Sequence, residues 1–407
     1  MPSPGEDARW ALLRDNRNFR RFWIARTVSL AGTQLARVVL TAFVYQLGGG
    51  AAGISVLLLA MTLPRLLGPL AGTIADRFDN RRLMIGCDAA GVLLYLALAF
   101  VRWWPGVIIL VVVATAISTV YLPAGRSSIP ALAGKENLAR ANTLLATGTY
   151  SGTALGPALA GVLLTFGGYG PAMALNAASF AVSALLTLRI AGLRPGSHAS
   201  TAGGPITVFG AARAGLAVAW QNKVARIIAI TLLPSVGLAS LDNAALIFLV
   251  RGPYHAGAGA YGWLVTAFSI AMAGVPLLLA AQRRTPKSRP LFYGGQGLYG
   301  AATIVTGLAP AIGYGAVAQV AAGGANGLEG VGMDTLIQES VPDASMGAVF
   351  GVVYTAPSAG QILAYLAAAP LIAVFGARTT FVISGAGVLI VLAVMMALLP
   401  TSAPPGS

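Results

Sequence analysis

The chain has 407 residues, 57% of them hydrophobic and only 9% charged, against about a quarter charged in an ordinary soluble domain, and its mean hydropathy is +0.77. A soluble globule of this size needs a large polar exterior that such a composition does not supply, so the solvent it is built for is lipid. The formal net charge of +14 would suit nucleic acid, but the cations are distributed along the chain in a way that excludes that partner.

Residues 1–21 are polar, carry Arg9, Arg14, Arg17, Arg20 and Arg21, and read as a cytoplasmic N-terminal segment with no cleavable leader. Apolar stretches of the ~20 residues that a helix needs to cross a bilayer core follow at 22–47, 53–74, 83–101, 107–129, 141–166 and 172–188, an N-terminal six-helix bundle over 22–188. Residues 189–226 break the pattern with Pro195, Gly196, Ser197 and the run Ser200 to Pro205, then an amphipathic stretch at 209–220 suited to the membrane interface, and read as a cytoplasmic central loop with an interfacial helix. Six further stretches at 227–250, 261–281, 291–308, 311–337, 349–369 and 379–399 give a C-terminal bundle over 227–399, with a cytoplasmic tail at 400–407. The expected fold is therefore all-α and integral to the membrane, with twelve transmembrane helices in two pseudo-symmetric six-helix bundles.

Orientation follows from the cations. About twenty of the 26 Lys and Arg fall in alternate loops, among them Arg77, Arg81 and Arg82, Arg126, Lys135 and Arg140, and Arg283, Arg284, Lys287 and Arg289; only Arg102, Arg251 and Arg378 lie in the intervening loops. That asymmetry places both termini in the cytoplasm. The single Cys87 allows no internal disulfide or metal cluster and reads as a packing residue, and His198 and His255 both fall between spans. Neither a cofactor nor a metal is expected.

The two halves echo each other: Ser128-Ile129-Pro130 after the fourth span recurs as Ser340-Val341-Pro342 after the tenth. Six plus six spans with weak repetition is the plan of a secondary transporter whose substrate site lies between the halves. The residues after span two, Gly72-Thr73-Ile74-Ala75-Asp76-Arg77-Phe78-Asp79-Asn80-Arg81-Arg82, resemble the G-x-x-x-D-R-x-G-R-R signature of the major facilitator superfamily. The variant with Asp79 in place of the second glycine is similar to the branch of enterobactin-type and macrolide-type exporters. Leu122-Pro123-Ala124 through Asn142, and Asp334-Thr335-Leu336-Ile337-Gln338 through Gly351, resemble further segments of that branch. The resemblance implies a cytoplasmic gate at Gly72, Asp76, Arg77, Arg81 and Arg82. There Gly72 would admit a close neighbour and Asp76 would meet a helix N-terminus, with Arg77 and Arg81 holding its carboxylate. In span five, Gly152-x-x-x-Gly156-Pro157-x-x-x-Gly161 resembles the antiporter motif of facilitator exporters and, as a row of small residues, also suits close helix packing.

Two other sequence patterns carry nothing. Gly257-Ala258-Gly259-Ala260-Tyr261-Gly262 spells GxGxxG but joins two spans, with no preceding strand or following acid. No G-x-x-x-x-G-K-[ST] sequence occurs, so an ion or substrate gradient is expected to drive the cycle. No nucleophile with a base and no HExxH pattern marks an intramembrane enzyme, and enzymatic activity is not expected.

Charges in mid-membrane cost about 2.5–3.5 kcal/mol each on insertion scales, so they default to functional roles. Helical spacing groups Arg26, Thr33 and Arg37 in span one, Thr231, Ser235 and Asp242 in span seven, Gln319, Asn326 and Glu329 in span ten, and Tyr354, Ser358, Gln361 and Tyr365 in span eleven. The family resemblance implies that spans one, four, seven and ten line the central cavity. The tyrosines of span eleven suit a large, partly aromatic ligand. Thr33, Arg37, Ser235, Gln319, Asn326, Tyr354, Gln361 and Tyr365 are therefore the candidate substrate contacts. Glu329, with no cation on its own helix, is the first candidate for a proton carrier. Asp242, at a depth similar to Arg37, is the second and suits an ionised gating group; Arg65 and Asp88 could form a further pair. The expected function is export of a mid-sized, partly apolar organic compound by proton antiport. Its setting is the bacterial cytoplasmic membrane, and the carrier is expected to be monomeric, with small-molecule substrate, protons and lipid as its partners and no nucleic acid. The alternative is an importer or uniporter of a small organic solute without proton antiport.

Overall fold

The structure, a computed structural model, describes residues 11–166, 168–190, 220–221, 223–280, 287–341 and 343–399. The stretch at 209–220 assigned to an interfacial helix falls almost wholly outside them, as do the loop at 281–286 and the tail. Among the described residues the regular structure is entirely helical. Lipid dictates this, because a helix satisfies its backbone N–H and C=O groups within one segment. The helices are α1 (Arg17–Gln46), α2 (Gly50–Thr62), α3 (Gly68–Arg77), α4 (Asn80–Phe100), α5 (Trp104–Ser127), the short α6 (Ile129–Ala133), α7 (Leu138–Phe166) and α8 (Tyr169–Leu188), followed by α9 (Lys223–Arg251), α10 (Ala258–Ala280), α11 (Ser288–Leu308), α12 (Ile312–Ser340) and α13 (Asp343–Leu398).

Eight candidate membrane spans stand out by length and apolar composition among the described residues, the longest at Pro357–Leu398. At 1.5 Å per residue its 42 residues reach about 60 Å, twice the hydrocarbon thickness. The backbone accommodates this by leaving the helical region at Gly376 (φ 76°, ψ 168°) within α13, a conformation that glycine adopts without a Cβ penalty.

The stretch expected as one span at 53–74 is broken. A 3-10 turn at Leu63–Leu67 separates α2 from α3, because Pro64 and Pro69 each lack an amide proton and disfavour helical backbone in the residue before them. Sharp caps set other ends. Asn16 accepts from Phe19 N at 2.9 Å and donates to Leu132 O at 2.7 Å, which both starts α1 and ties it to α6.

The chain forms two compact units by contact, Met1–Gly48 with Leu63–Ala202, and Gly49–Thr62 with Gly203–Ser407. In the first, α1 packs on α7 and α8, α4 on α5 and α8, and α3 on α5, around Phe19, Phe22, Met84, Ile129 and Leu144. In the second, α9 and α11 pack on α13, α12 on α10 and α11, and α2 on α13, around Ile228, Phe292, Ile337, Val353 and Met395. The pairings repeat. As α1 meets both α7 and α8, α9 meets α13 on both sides of Gly376, with Gly237 against Gly360 and Ser384 Oγ donating to Leu238 O at 2.8 Å.

In the first unit α7 comes close to the backbone of α1. A Cβ at Gly156 would lie 2.5 Å from Gln34 Cβ and 2.6 Å from Ala31 O of α1, closer than van der Waals contact permits. Gly156→Leu is therefore expected to cost about 1–3 kcal/mol through overpacking, read as a lower thermal unfolding midpoint of the purified protein. Gly86→Leu, at a helical position with open space around it, should leave the midpoint in place; equal midpoints for the two variants would contradict the α1–α7 contact.

Candidate functional site

The loop between α3 and α4 is organised by Asp79. Its carboxylate accepts from the backbone N of Arg82 at 2.8 Å, the N-cap interaction that satisfies one of the free donors at a helix start. The motif's departure from glycine at this position thus has a local reason. Arg81 turns to the opposite kind of helix end, donating from Nε to Thr187 O at 3.4 Å and from Nη2 to Leu188 O, while Arg21 donates to Arg189 O. Two guanidinium groups therefore cover the C-terminal carbonyls of α8, where the helix dipole favours cations. Arg77 and the Arg82 side chain are exposed. No atom among the described residues would lie within 4 Å of a Cβ at Gly72, so the close neighbour expected there is not among them. The Asp76 side chain falls outside the described residues.

In α7, Gly152, Gly156, Pro157 and Gly161 are all buried. Gly152 and Gly156 face the backbone of α1, and Pro157 removes one helical hydrogen bond from the same segment. On α1, Thr33 returns its hydroxyl to Ser29 O at 2.9 Å, and Arg37 is half-buried.

The second unit concentrates its polar side chains on α9, α11 and α12. Tyr299, 5% exposed, donates to Asp242 Oδ2 at 2.7 Å, and Asn243 Nδ2 donates to Asp242 Oδ1 at 3.0 Å. One turn away, Gln296 Nε2 donates to Ser235 Oγ at 2.6 Å. Glu329 of α12 lies within electrostatic reach of the same Tyr299 hydroxyl, because Gly295 lets α11 sit directly on the α12 backbone: a Cβ there would be 2.5 Å from Glu329 N. The side chains of α11 thus connect the two acids that the sequence singled out on α9 and α12. Gln319 is buried, Asn326 and Gln361 are half-buried, and Tyr365 is 2% exposed; the Tyr354 side chain falls outside the described residues.

Sequence reasoning passed over Gln296 and Tyr299. The signal was present, since Gln296, Tyr299 and Thr303 recur at helical spacing along α11 just as the chosen stripes do. The suggested pairing of Arg65 with Asp88 is corrected. Asp88 is fully buried, receives its hydrogen bond from Ser183 Oγ at 2.7 Å and has no partner on Oδ1 among the described residues, whereas Arg65 is exposed on the proline-induced 3-10 turn.

The three arginines of the intervening loops also have structural partners. Arg102 donates to Ala99 O at 2.8 Å at the end of α4, Arg251 to Ala256 O at 3.4 Å, and Arg378 to Ala309 O at 2.9 Å just past α11. Among the described residues, no three His, Cys, Asp or Glu side chains gather as they would around a metal ion.

The chain's sequence matches the profile of the Major Facilitator Superfamily over residues 22–250 and 232–407. It is 24% identical over 388 residues to the uncharacterized MFS-type transporter YfiS of Bacillus subtilis (strain 168), covering 92% of this chain and 91% of that one. Its fold is similar to that of the nucleoside transporter NupG (TM-score 0.74, 13% identity, 94% of this chain and 99% of that one). Similar folds also occur in a POT family transporter bound to 5-aminolevulinic acid (TM-score 0.75, 11% identity, 95% and 96%) and in the human organic anion transporter MFSD10 (TM-score 0.67, 14% identity, 93% and 99%). With a sequence match spanning nearly the whole chain and apolar helices long enough to cross a membrane, this multi-pass membrane protein belongs to the major facilitator superfamily.

Proposed function

We propose that the protein is a twelve-span exporter of the bacterial cytoplasmic membrane, with both termini cytoplasmic, that moves a mid-sized, partly apolar organic compound outward in exchange for protons by alternating access. The observation that carries this reading is the hydrogen bond from the Tyr299 hydroxyl to Asp242 on a helix, α11, that Gly295 seats directly against the α12 backbone at Glu329. Two carboxylates held in membrane helices are costly, and α11, bonded to one acid and packed against the backbone of the other, gives a path by which the state of one acid is felt at the other.

The roles divide by environment. The Asp242 carboxylate accepts from two donors, which suits a group that stays ionised and holds α9 to α11. The Glu329 carboxylate makes no hydrogen bond or ion pair with a described residue, and the residue as a whole is half-buried, which suits a group that exchanges its proton as the substrate arrives and leaves. The Ser235, Gln319, Asn326 and Gln361 side chains supply neutral polar contacts, and the apolar remainder of the helices accommodates the rest of the substrate. The structural neighbours act on nucleosides, organic anions and 5-aminolevulinic acid or peptides by their names, which supports a substrate of that size. The glycine-rich face of α7 and the loop from Gly72 to Arg82 are the proposed parts that close the cytoplasmic side, in the branch that resembles enterobactin-type and macrolide-type exporters.

The test uses inverted membrane vesicles with an imposed proton gradient and a panel of antibiotics, dyes and siderophore-like compounds. Native protein is expected to collapse the gradient with at least one compound and Glu329→Gln with none; full gradient-driven transport by Glu329→Gln would remove Glu329 from the coupling. A hydrogen bond to a charged group is worth about 1.5–3 kcal/mol, so Tyr299→Phe and Asp242→Asn should each lower the thermal midpoint. The double variant should lose clearly less than the two together, since both remove one interaction. Additive losses would show that the two side chains act independently.

A further inference from the structure

The first unit contains a second convergence of buried polar atoms, which no part of the cycle described so far uses. Four helices contribute. Asp88 of α4 and Ser183 of α8 are both 0% exposed and joined by the 2.7 Å hydrogen bond from Ser183 Oγ to Asp88 Oδ2. Asp88 Oδ1, the Tyr121 hydroxyl of α5 and Arg26 Nη1 of α1 are buried without a hydrogen-bond partner among the described residues. Gly125, one turn from Tyr121, makes room for the guanidinium, since a Cβ there would lie 3.3 Å from Arg26 Nη1 and 3.9 Å from Tyr121 Cε1. The Tyr121 hydroxyl is within electrostatic reach of Asp88, Arg26 and Cys87 and lies close to the Ser183 hydroxyl.

Such an arrangement is not what packing alone selects. A buried polar atom without a partner costs about 1–3 kcal/mol, and native structures keep few of them. Here an acceptor, a hydroxyl and a cationic donor are left open at one place. They lie about 12 Å along α4 from its first residue, at 1.5 Å per residue, and thus inside the bundle. The fixed charge of Arg26 opposes a metal cation, and no ion pair joins Arg26 to Asp88. Arg126 acts on Arg26 from the end of α5, and α3 brings Asp76 and the exposed Arg77 to the end of the unit.

We propose that Asp88 is a second proton-binding site of the carrier, taking up a proton on Oδ1 and releasing it as the unit changes state, with Ser183 fixing the carboxyl and Tyr121 passing the proton toward the solvent. On uptake an O–H bond forms at Oδ1 with a proton drawn from water; on release that bond breaks and Arg26 balances the carboxylate left behind. The site's own charge therefore alternates between +1 and 0. This rests on the proton-antiport reading above for its place in the cycle, but the binding of the proton does not.

The test is infrared difference spectroscopy of the purified full-length protein in lipid between acid and alkaline pH, with no substrate added. The carboxylic-acid C=O band assigned to the site is expected to be lost in Asp88→Asn and to move in Ser183→Ala, which keeps the acid and guards against a folding defect in the first variant. In vesicles, gradient-driven export of the responding panel compounds should be lost in Asp88→Asn while counterflow, which needs no net proton movement, is retained. A difference spectrum unchanged by Asp88→Asn overturns the proposal, as does a band that appears with sodium at constant pH, or full gradient-driven export by Asp88→Asn. Native export that survives a protonophore, with the Asp88 band present, instead contradicts the antiport reading and leaves the proton site standing.

Discussion

Everything in this structure answers to one constraint: in lipid, a polar or charged group has no water to turn to and must find its partner inside the protein. The backbone meets that demand through helices, but each helix ends with carbonyls that it cannot satisfy itself. The arginines settle those ends. Arg21 and Arg81 cover the end of α8, Arg102 the end of α4 and Arg378 the residues closing α11. A cation in that place both donates hydrogen bonds and meets the negative end of the helix dipole. The arginines at these positions are therefore a set of helix caps.

The same constraint decides how closely the helices approach. Without a hydrophobic drive between helices in lipid, association rests on packing and on interhelical hydrogen bonds. Glycines supply the first where α7 meets α1 and where α11 meets α12. Polar side chains supply the second, through Gln296 to Ser235, Tyr299 to Asp242 and Ser183 to Asp88. The close seating of α11 on α12 brings Glu329 near Tyr299, so helix packing and the candidate chemistry share one cause.

Much of this was legible in the sequence because apolar stretches of membrane-spanning length are a strong signal, as were the acids that interrupt them. The helical character followed from those stretches, and the superfamily from the resemblance of the segment Gly72 to Arg82 to the family's signature. Three things were harder to read. The break at Leu63–Leu67 comes from prolines inside a stretch whose hydropathy runs on unbroken. Tyr299 and Gln296 were hidden because the search followed charges, and their importance lies in what they bond to. Asp88 was matched with Arg65 only as an acid and a cation within the same half; which neighbour an acid meets depends on rotation about the helix axis and on α8 being the helix beside α4.

A carboxylate tied to a hydroxyl in each unit, Asp242 to Tyr299 and Asp88 to Ser183, makes proton exchange the physical theme that joins the candidate site to the second cluster. Its most direct test is the proton itself. Purified protein in weakly buffered solution with a pH indicator would receive those panel compounds whose binding is seen in its tryptophan fluorescence. The account predicts that a binding compound releases protons into solution and that Glu329→Gln releases fewer. Compounds that bind the native protein with no change in solution pH would contradict it.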